Sequence, residues 1–161
     1  MKPRVLVVDD ESDFIELLKY NLEGQGFEVL AARDGMEALN IARRELPDVV
    51  LVDLMLPDLD GFSVCEILRS QPSTARVPII VVSALDGEYV RSRGLETGVA
   101  CCFKKPVDMK VLGESIRSNH ELRLESMERA RCCALRTLDA PDRANVQGRS
   151  RDQRMTGPGF T

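Results

Sequence analysis

Five side chains carry the chemistry this sequence could perform: Asp9, Asp10, Asp53, Ser83 and Lys105. Each follows a short apolar run. Asp9 and Asp10 follow residues 4–8, Asp53 follows 49–52 and Ser83 follows 77–82. Lys105 comes just after 99–103 and directly before Pro106. Three carboxylates in one crevice repel one another; they become stable together when they hold a hard divalent cation, which prefers oxygen ligands. A lysine and a hydroxyl beside them add donors for an anion. A metal, an ammonium, a hydroxyl and a backbone amide around one carboxylate make a site for phosphoryl transfer. Attack of that carboxylate on phosphorus gives an acyl phosphate, a covalent step. Taken singly, these residues read as solvated loop acids, a turn cap, a helix cap and a surface lysine. Only the ordered set points to a site.

For the set to meet, the chain must bring the ends of its apolar runs to one edge. In residues 4–8, Arg4 is followed by four apolar residues, three of them β-branched valines, as a buried strand requires. Phe14, Leu17, Leu18, Asn21 and Leu22 then recur at spacings of three and four, a helix face. Ser12 or Asp13 stands where its N-cap belongs, and Gly24 and Gly26 where it stops. Residues 27–31 read as a second strand. Asp34-Gly35 opens a helix through Ala38, Leu39 and Ala42 that Pro47 ends. A third strand at 49–52 leads into a Pro/Asp/Gly-rich loop, 54–61. Residues 62–70 form a short helix with Phe62, Cys65 and Leu68 on one face. A fourth strand lies at 77–82, a polar and weakly patterned helix at 88–97, a fifth strand at 99–103, and a long helix starts near Asp108. Strand and helix alternate five times. Near-continuous Val/Ile/Leu strands argue for a parallel sheet covered on both faces. Right-handed crossovers make it a doubly wound α/β fold, with its ligand at the carboxyl ends of the strands.

At these residues the sequence resembles the receiver domain of response regulators. The resemblance rests on Val7-Val8-Asp9-Asp10-Glu11, on Asp53-Leu54-Met55-Leu56-Pro57-Asp58-Leu59-Asp60-Gly61, on Val82-Ser83-Ala84 and on Lys104-Lys105-Pro106, and covers about residues 3–118. It implies a five-stranded sheet of order 2-1-3-4-5 with five helices. It also implies that Asp53 is the phosphoacceptor and that Asp10, Asp53 and the Met55 carbonyl hold Mg2+ or Mn2+, with Asp9 acting through water. Lys105 would pair with the phosphoryl oxygens, and Ser83 would swing to bind one of them. The Lys105–Pro106 bond is expected to be cis. Implied partners are a histidine kinase or phosphotransfer protein upstream. Downstream, a protein partner would meet the face built from the fourth helix, fifth strand and fifth helix, or the C-terminal helix; a homodimer is a further expectation.

One position departs from the family pattern. Such domains usually carry an aromatic residue on the fifth strand, three positions before the lysine; here that place holds Cys102, with Phe103 next to it. Strand alternation sends Phe103 into the core. The phosphorylation chemistry is untouched, but the route by which a signal leaves the domain is altered. A non-switching domain that serves as a dimerisation or scaffold module is therefore a second reading. Rival doubly wound folds fit less well. A flavodoxin needs a hydroxyl-rich phosphate loop after strand one, where this chain has acids. A haloacid-dehalogenase-type phosphatase needs a second aspartate two residues after the nucleophile, where this chain has Met55, so turnover as an enzyme is not expected.

Composition agrees with one α/β domain and a short appendage: 161 residues, 43% hydrophobic and 30% charged. No apolar run approaches the roughly 20 residues of a membrane span. Residues 1–4 begin nothing like a signal peptide, so the cytoplasm is the expected location. The five cysteines are odd in number and lack a CxxC spacing, and reduced thiols are expected. Cys101 and Cys102 read as small buried hydrophobes. Residues 1–116 carry 13 basic and 20 acidic side chains, which disfavours direct nucleic-acid binding. The expected division is a receiver over 1–118, a helical extension over 119–140 and a disordered tail over 141–161. In the extension His120, Leu124, Met127, Arg131, Ala134 and Leu138 recur at helical spacing, as either a short coiled coil or a charged projecting helix would have them. His120-Glu121-Leu122-Arg123 resembles a phosphohistidine box but lacks its proline, so a surface histidine is expected.

Overall fold

In a computed structural model, described for residues 1–138, strand and helix alternate as β1 (Arg4–Val8), α1 (Ser12–Gly24), β2 (Glu28–Ala32), α2 (Gly35–Glu45), β3 (Val49–Val52), α3 (Gly61–Ser70), β4 (Ile79–Ser83), α4 (Glu88–Glu96), β5 (Cys101–Lys104) and α5 (Met109–Leu138). The strands form one parallel sheet of order β2-β1-β3-β4-β5. This is the doubly wound arrangement the alternation called for. β2, β4 and β5 each begin one or two residues later than the apolar runs alone suggest.

Side-chain alternation along the strands divides the interior into two layers. Leu6, Val8, Val50, Val52, Ile79 and Val81 face Ala38, Leu39, Phe62, Cys65 and Leu68 of α2 and α3. Val5, Val7, Val49, Leu51, Ile80 and Val82 face Ile15, Leu18 and Leu22 of α1 and Leu112 and Ile116 of α5. The stripe on α1 therefore runs through Ile15 rather than Leu17, which is exposed. Neither Ser12 nor Asp13 caps this helix: Glu11 holds the N-cap position, with no side-chain hydrogen bond. α4 buries only Val90 and Gly94, in keeping with its polar sequence.

Two glycines mark stops where the chain turns in left-handed or open backbone: Gly26 after α1 has φ +94 and Gly98 after α4 has φ +69. At α3 the start is set by Asp60, whose carboxylate accepts from the Phe62 amide at 2.9 Å and the Ser63 amide at 3.1 Å. Burial opposes ionisation of Asp60, but the Ser63 hydroxyl and the two amides outweigh it and hold the carboxyl below the usual range. Asp60→Ala should cost about 1 kcal/mol in urea unfolding at neutral pH. A depressed pKa gives stability that is present above the unfolded value, near 4, and is lost as pH falls through the lower folded value. The gap between wild type and variant should therefore shrink below about pH 4. A gap of the same size in acid would count against the charged cap.

Residues 1–127 form one compact unit, and the described residues from Glu128 to Leu138 belong to a second. His120 is not the surface histidine expected: its side chain is 16% exposed, with Nε2 3.6 Å from an Asp48 carboxylate oxygen. Arg123 donates to the carbonyls of Pro47 and Asp48. In the second unit α5 continues to Leu138, the last described residue. The expected tail, 141–161, lies outside the described residues. No helix among the described residues is long and apolar enough to cross a membrane.

Candidate functional site

The carboxyl ends of β1 and β3 lie side by side where the strand order reverses, the place where doubly wound sheets bind ligands, and Lys105 reaches them from the chain after β5. Backbone pairing fixes Asp9, Asp53 and Lys105 there. The Asp9 amide donates to the Ala32 carbonyl at 3.1 Å, the Asp53 amide to the Val8 carbonyl at 2.9 Å, and the Lys105 amide to the Ser83 carbonyl at 2.8 Å. The Lys105–Pro106 bond is cis, as expected.

Asp9 and Asp53 are almost fully buried, 2% and 4% exposed, while Asp10 and Glu11 stand open. Lys105, with 13% of its side chain exposed, places Nζ 2.7 Å from an Asp9 oxygen, 3.0 Å from an Asp53 oxygen and 3.6 Å from a Glu11 oxygen. Burial opposes the charge on Lys105, but its hydrogen bonds to Asp9 and Asp53 outweigh that and hold its pKa above the usual lysine value. Burial pushes the Asp9 carboxyl up, against the pull of Lys105 and the Glu11 amide, and the charge of Asp53 adds to the rise.

Oxygens of Asp9, Asp10, Glu11 and Asp53 all lie within 4.8 Å of one another. Four carboxylates and one ammonium leave an excess of negative charge, part of it buried. Such a donor set fits a hard divalent cation of the Mg2+ or Mn2+ type. A cleft of about 310 Å³ opens above it, lined by Asp10, Glu11, Asp53, Met55, Leu56, Pro57, Ala84 and Lys105. Met55 lies at its mouth, 58% exposed, and its amide donates to Asp53 Oδ1 at 3.1 Å.

Of the residues singled out from sequence, Asp9, Asp10, Asp53, Met55 and Lys105 are brought together. Ser83 stands apart in one respect. It is fully buried, and its hydroxyl accepts from the Leu85 amide at 3.3 Å instead of lining the cleft. Nor does it cap the next helix, whose N-cap is Gly87. Cys102 is exposed, not buried as expected, and Phe103 is half-buried against the α1/α5 layer.

Several contributors were not evident from sequence. Glu11 joins the acid cluster. Asp58 accepts from the Gly35 and Met36 amides at 2.8 and 2.9 Å, which ties the loop after Asp53 to the start of α2 and holds the Asp58 carboxyl below the usual range. That tie spans more than 20 residues, and no local pattern announces it. Phe14, half-buried on α1, presents its ring 4.2 Å from Lys105 Nζ. On spacing alone it reads as a core residue.

Comparison with known proteins follows the same lines. A family profile described as response regulator receiver domain matches residues 5–117. Over 118 residues the chain is 42% identical to "Response regulator PleD" of Caulobacter vibrioides, a match covering 73% of this chain and 26% of that protein. It is 41% identical to "Alkaline phosphatase synthesis transcriptional regulatory protein PhoP" of Bacillus subtilis, covering 73% of this chain and 48% of that one. The chain thus spans about a quarter to a half of these relatives' length. Among solved structures it resembles a CheY-like receiver domain from Methanospirillum hungatei JF-1, with a TM-score of 0.74 and 25% identity over 78% of this chain and 99% of the other. It also resembles the receiver domain of the Francisella response regulator 1452, with a TM-score of 0.70 and 33% identity over 74% and 98%. Fold, site geometry and sequence agree: the chain belongs to the response regulator receiver domain family.

Proposed function

We propose that this chain is a phosphorylation switch that accepts a phosphoryl group on Asp53. The observation that carries the reading is the Lys105 ammonium seated between buried Asp9 and Asp53 at the floor of an open cleft. A carboxylate oxygen of Asp53 attacks phosphorus; the bond from phosphorus to the donor's leaving group breaks, and the pair of electrons leaves with that group. The donor would be a phosphohistidine of a kinase or phosphotransfer protein. Lys105 is placed to take a transferred phosphoryl oxygen as its acceptor in exchange for the Asp53 oxygen it now holds. Asp10, Asp53 and the Met55 carbonyl would hold Mg2+ or Mn2+, with Asp9 one water away, and the cation would neutralise charge on the phosphoryl oxygens. Ser83 would have to give up the Leu85 amide to reach the cleft. That exchange would tie the β4–α4 connection to the state of Asp53.

The reading extends to partners. The relatives' names, response regulator and transcriptional regulatory protein, support a regulatory role with a downstream effector; a histidine kinase would stand upstream, in the cytoplasm. The α4–β5–α5 face or α5 itself would contact that effector or a second copy of the chain, with no direct part for nucleic acid. Exposed Cys102 in place of the usual aromatic favours the second reading, a scaffold whose chemistry is no longer coupled to that face.

Intact mass after incubation with acetyl phosphate tests the phosphoacceptor reading. Wild type should gain one phosphoryl group with Mg2+ and none after chelation, and Asp53→Asn should gain none. No gain by wild type with any divalent metal would sink the switch and leave the scaffold.

A further inference from the structure

Lys105 has neighbours of two kinds. Its Nζ lies 2.7, 3.0 and 3.6 Å from oxygens of Asp9, Asp53 and Glu11, and it stands over the ring of Phe14, 4.2 Å from the centroid. The two kinds of contact behave differently when charge moves. A carboxylate oxygen is a directional acceptor, and the one on Asp53 is the atom that reacts. An aromatic face attracts the ammonium without consuming one of its N–H donors at a fixed angle. Phe14 is also anchored: it sits in the first turn of α1 and packs against the layer formed by α1, α5 and the sheet. Lys105, by contrast, reaches the site on a flexible four-carbon stem from the connection after β5.

On the reading that Asp53 is the phosphoacceptor, we infer that Phe14 is a positioning residue for Lys105. Its ring keeps the ammonium over the cleft floor while that ammonium exchanges an Asp53 oxygen for a phosphoryl oxygen. Phe14 touches no reacting atom. It acts by limiting where the lysine can go, so that the ammonium need not be re-collected from solvent in the step that transfers the phosphoryl group. The spacing also explains why an aromatic residue, and not only an apolar one, is of use at this place: leucine would fill the same layer but offer the ammonium no attraction.

The test compares side chains that keep the bulk with one that keeps the ring. Phosphoryl uptake from acetyl phosphate with Mg2+ is followed by intact mass for wild type, Phe14→Leu, Phe14→Met and Phe14→Tyr, with thermal melting of each. The leucine and methionine variants should take up phosphoryl about three- to ten-fold more slowly, as loss of one cation–π contact implies. Phe14→Tyr should stay within about two-fold of wild type, since its ring attracts a cation equally well. In a Lys105→Ala background, replacing Phe14 by leucine should change nothing further, because the group it positions is gone. Wild-type rates in the leucine and methionine variants would overturn the inference. So would an equal slowing by leucine with and without Lys105, which is what a purely structural role gives. If wild type itself takes up no phosphoryl group, it is the phosphoacceptor reading that fails, a result separate from either of these.

Discussion

Gly61→Ala is expected to lower stability by about 3 kcal/mol, near the upper end of overpacking costs. A Cβ on residue 61 would lie 2.3 Å from the Asp53 carbonyl oxygen, 2.7 Å from Leu54 Cα and 3.0 Å from the Asp53 carbonyl carbon. All three are backbone atoms, so no side-chain rotation relieves the clash. The chain is held that close by the Gly61 amide, which donates to the Leu54 carbonyl at 3.0 Å. Relief requires moving either the start of α3 or the residue proposed to react. Asp60 fixes the first, and pairing of the Asp53 amide with Val8 fixes the second. The melting temperature should therefore fall by roughly 10 °C or more for a domain of this size. Phosphoryl uptake per folded molecule should fall with it, because the Asp53 main chain is displaced. A variant that melts within about 2 °C of wild type would show that the loop can open at little cost.

Lys105→Ala should produce two changes of opposite sign. Phosphoryl uptake should slow about a hundredfold, the loss that follows removal of one preorganised donor to developing negative charge. Affinity for Mg2+ should rise at the same time. The ammonium lies 2.7 Å from an Asp9 oxygen and 3.0 Å from an Asp53 oxygen, so it competes for the carboxylates a cation would use. At an effective dielectric constant of about 20, a unit charge at this range interacts by a few kcal/mol, which makes a tightening of about tenfold a modest expectation. Titration calorimetry with Mg2+ reads the second change, and intact mass the first. Weaker binding of Mg2+ by the variant would mean that Lys105 organises the acids instead of competing for them, and the account of the site would need revision.

Much of this protein is determined by sequence alone. Alternating apolar runs and amphipathic stretches set the order of elements, because a strand buried on both faces must be apolar throughout and a helix packed on one face must be apolar every third or fourth residue. The strand ends then fix which acids can meet, which is why Asp9, Asp10, Asp53 and Lys105 were legible as a set. Tertiary structure decided what depends on distance in space. Asp58 reaches back to the amides that begin α2, Phe14 turns its ring to Lys105, and Gly61 passes against the backbone of Asp53. Each of these contacts joins separate stretches of chain, and no periodicity within one element encodes it. The same holds for Ser83. Sequence places it at the end of a strand, but only the packed fold directs its hydroxyl to the Leu85 amide and away from the cleft. Residue type and spacing choose the elements because those obey local periodicities. The direction of a side chain at the end of an element is settled by its neighbours in space, which only the folded chain supplies.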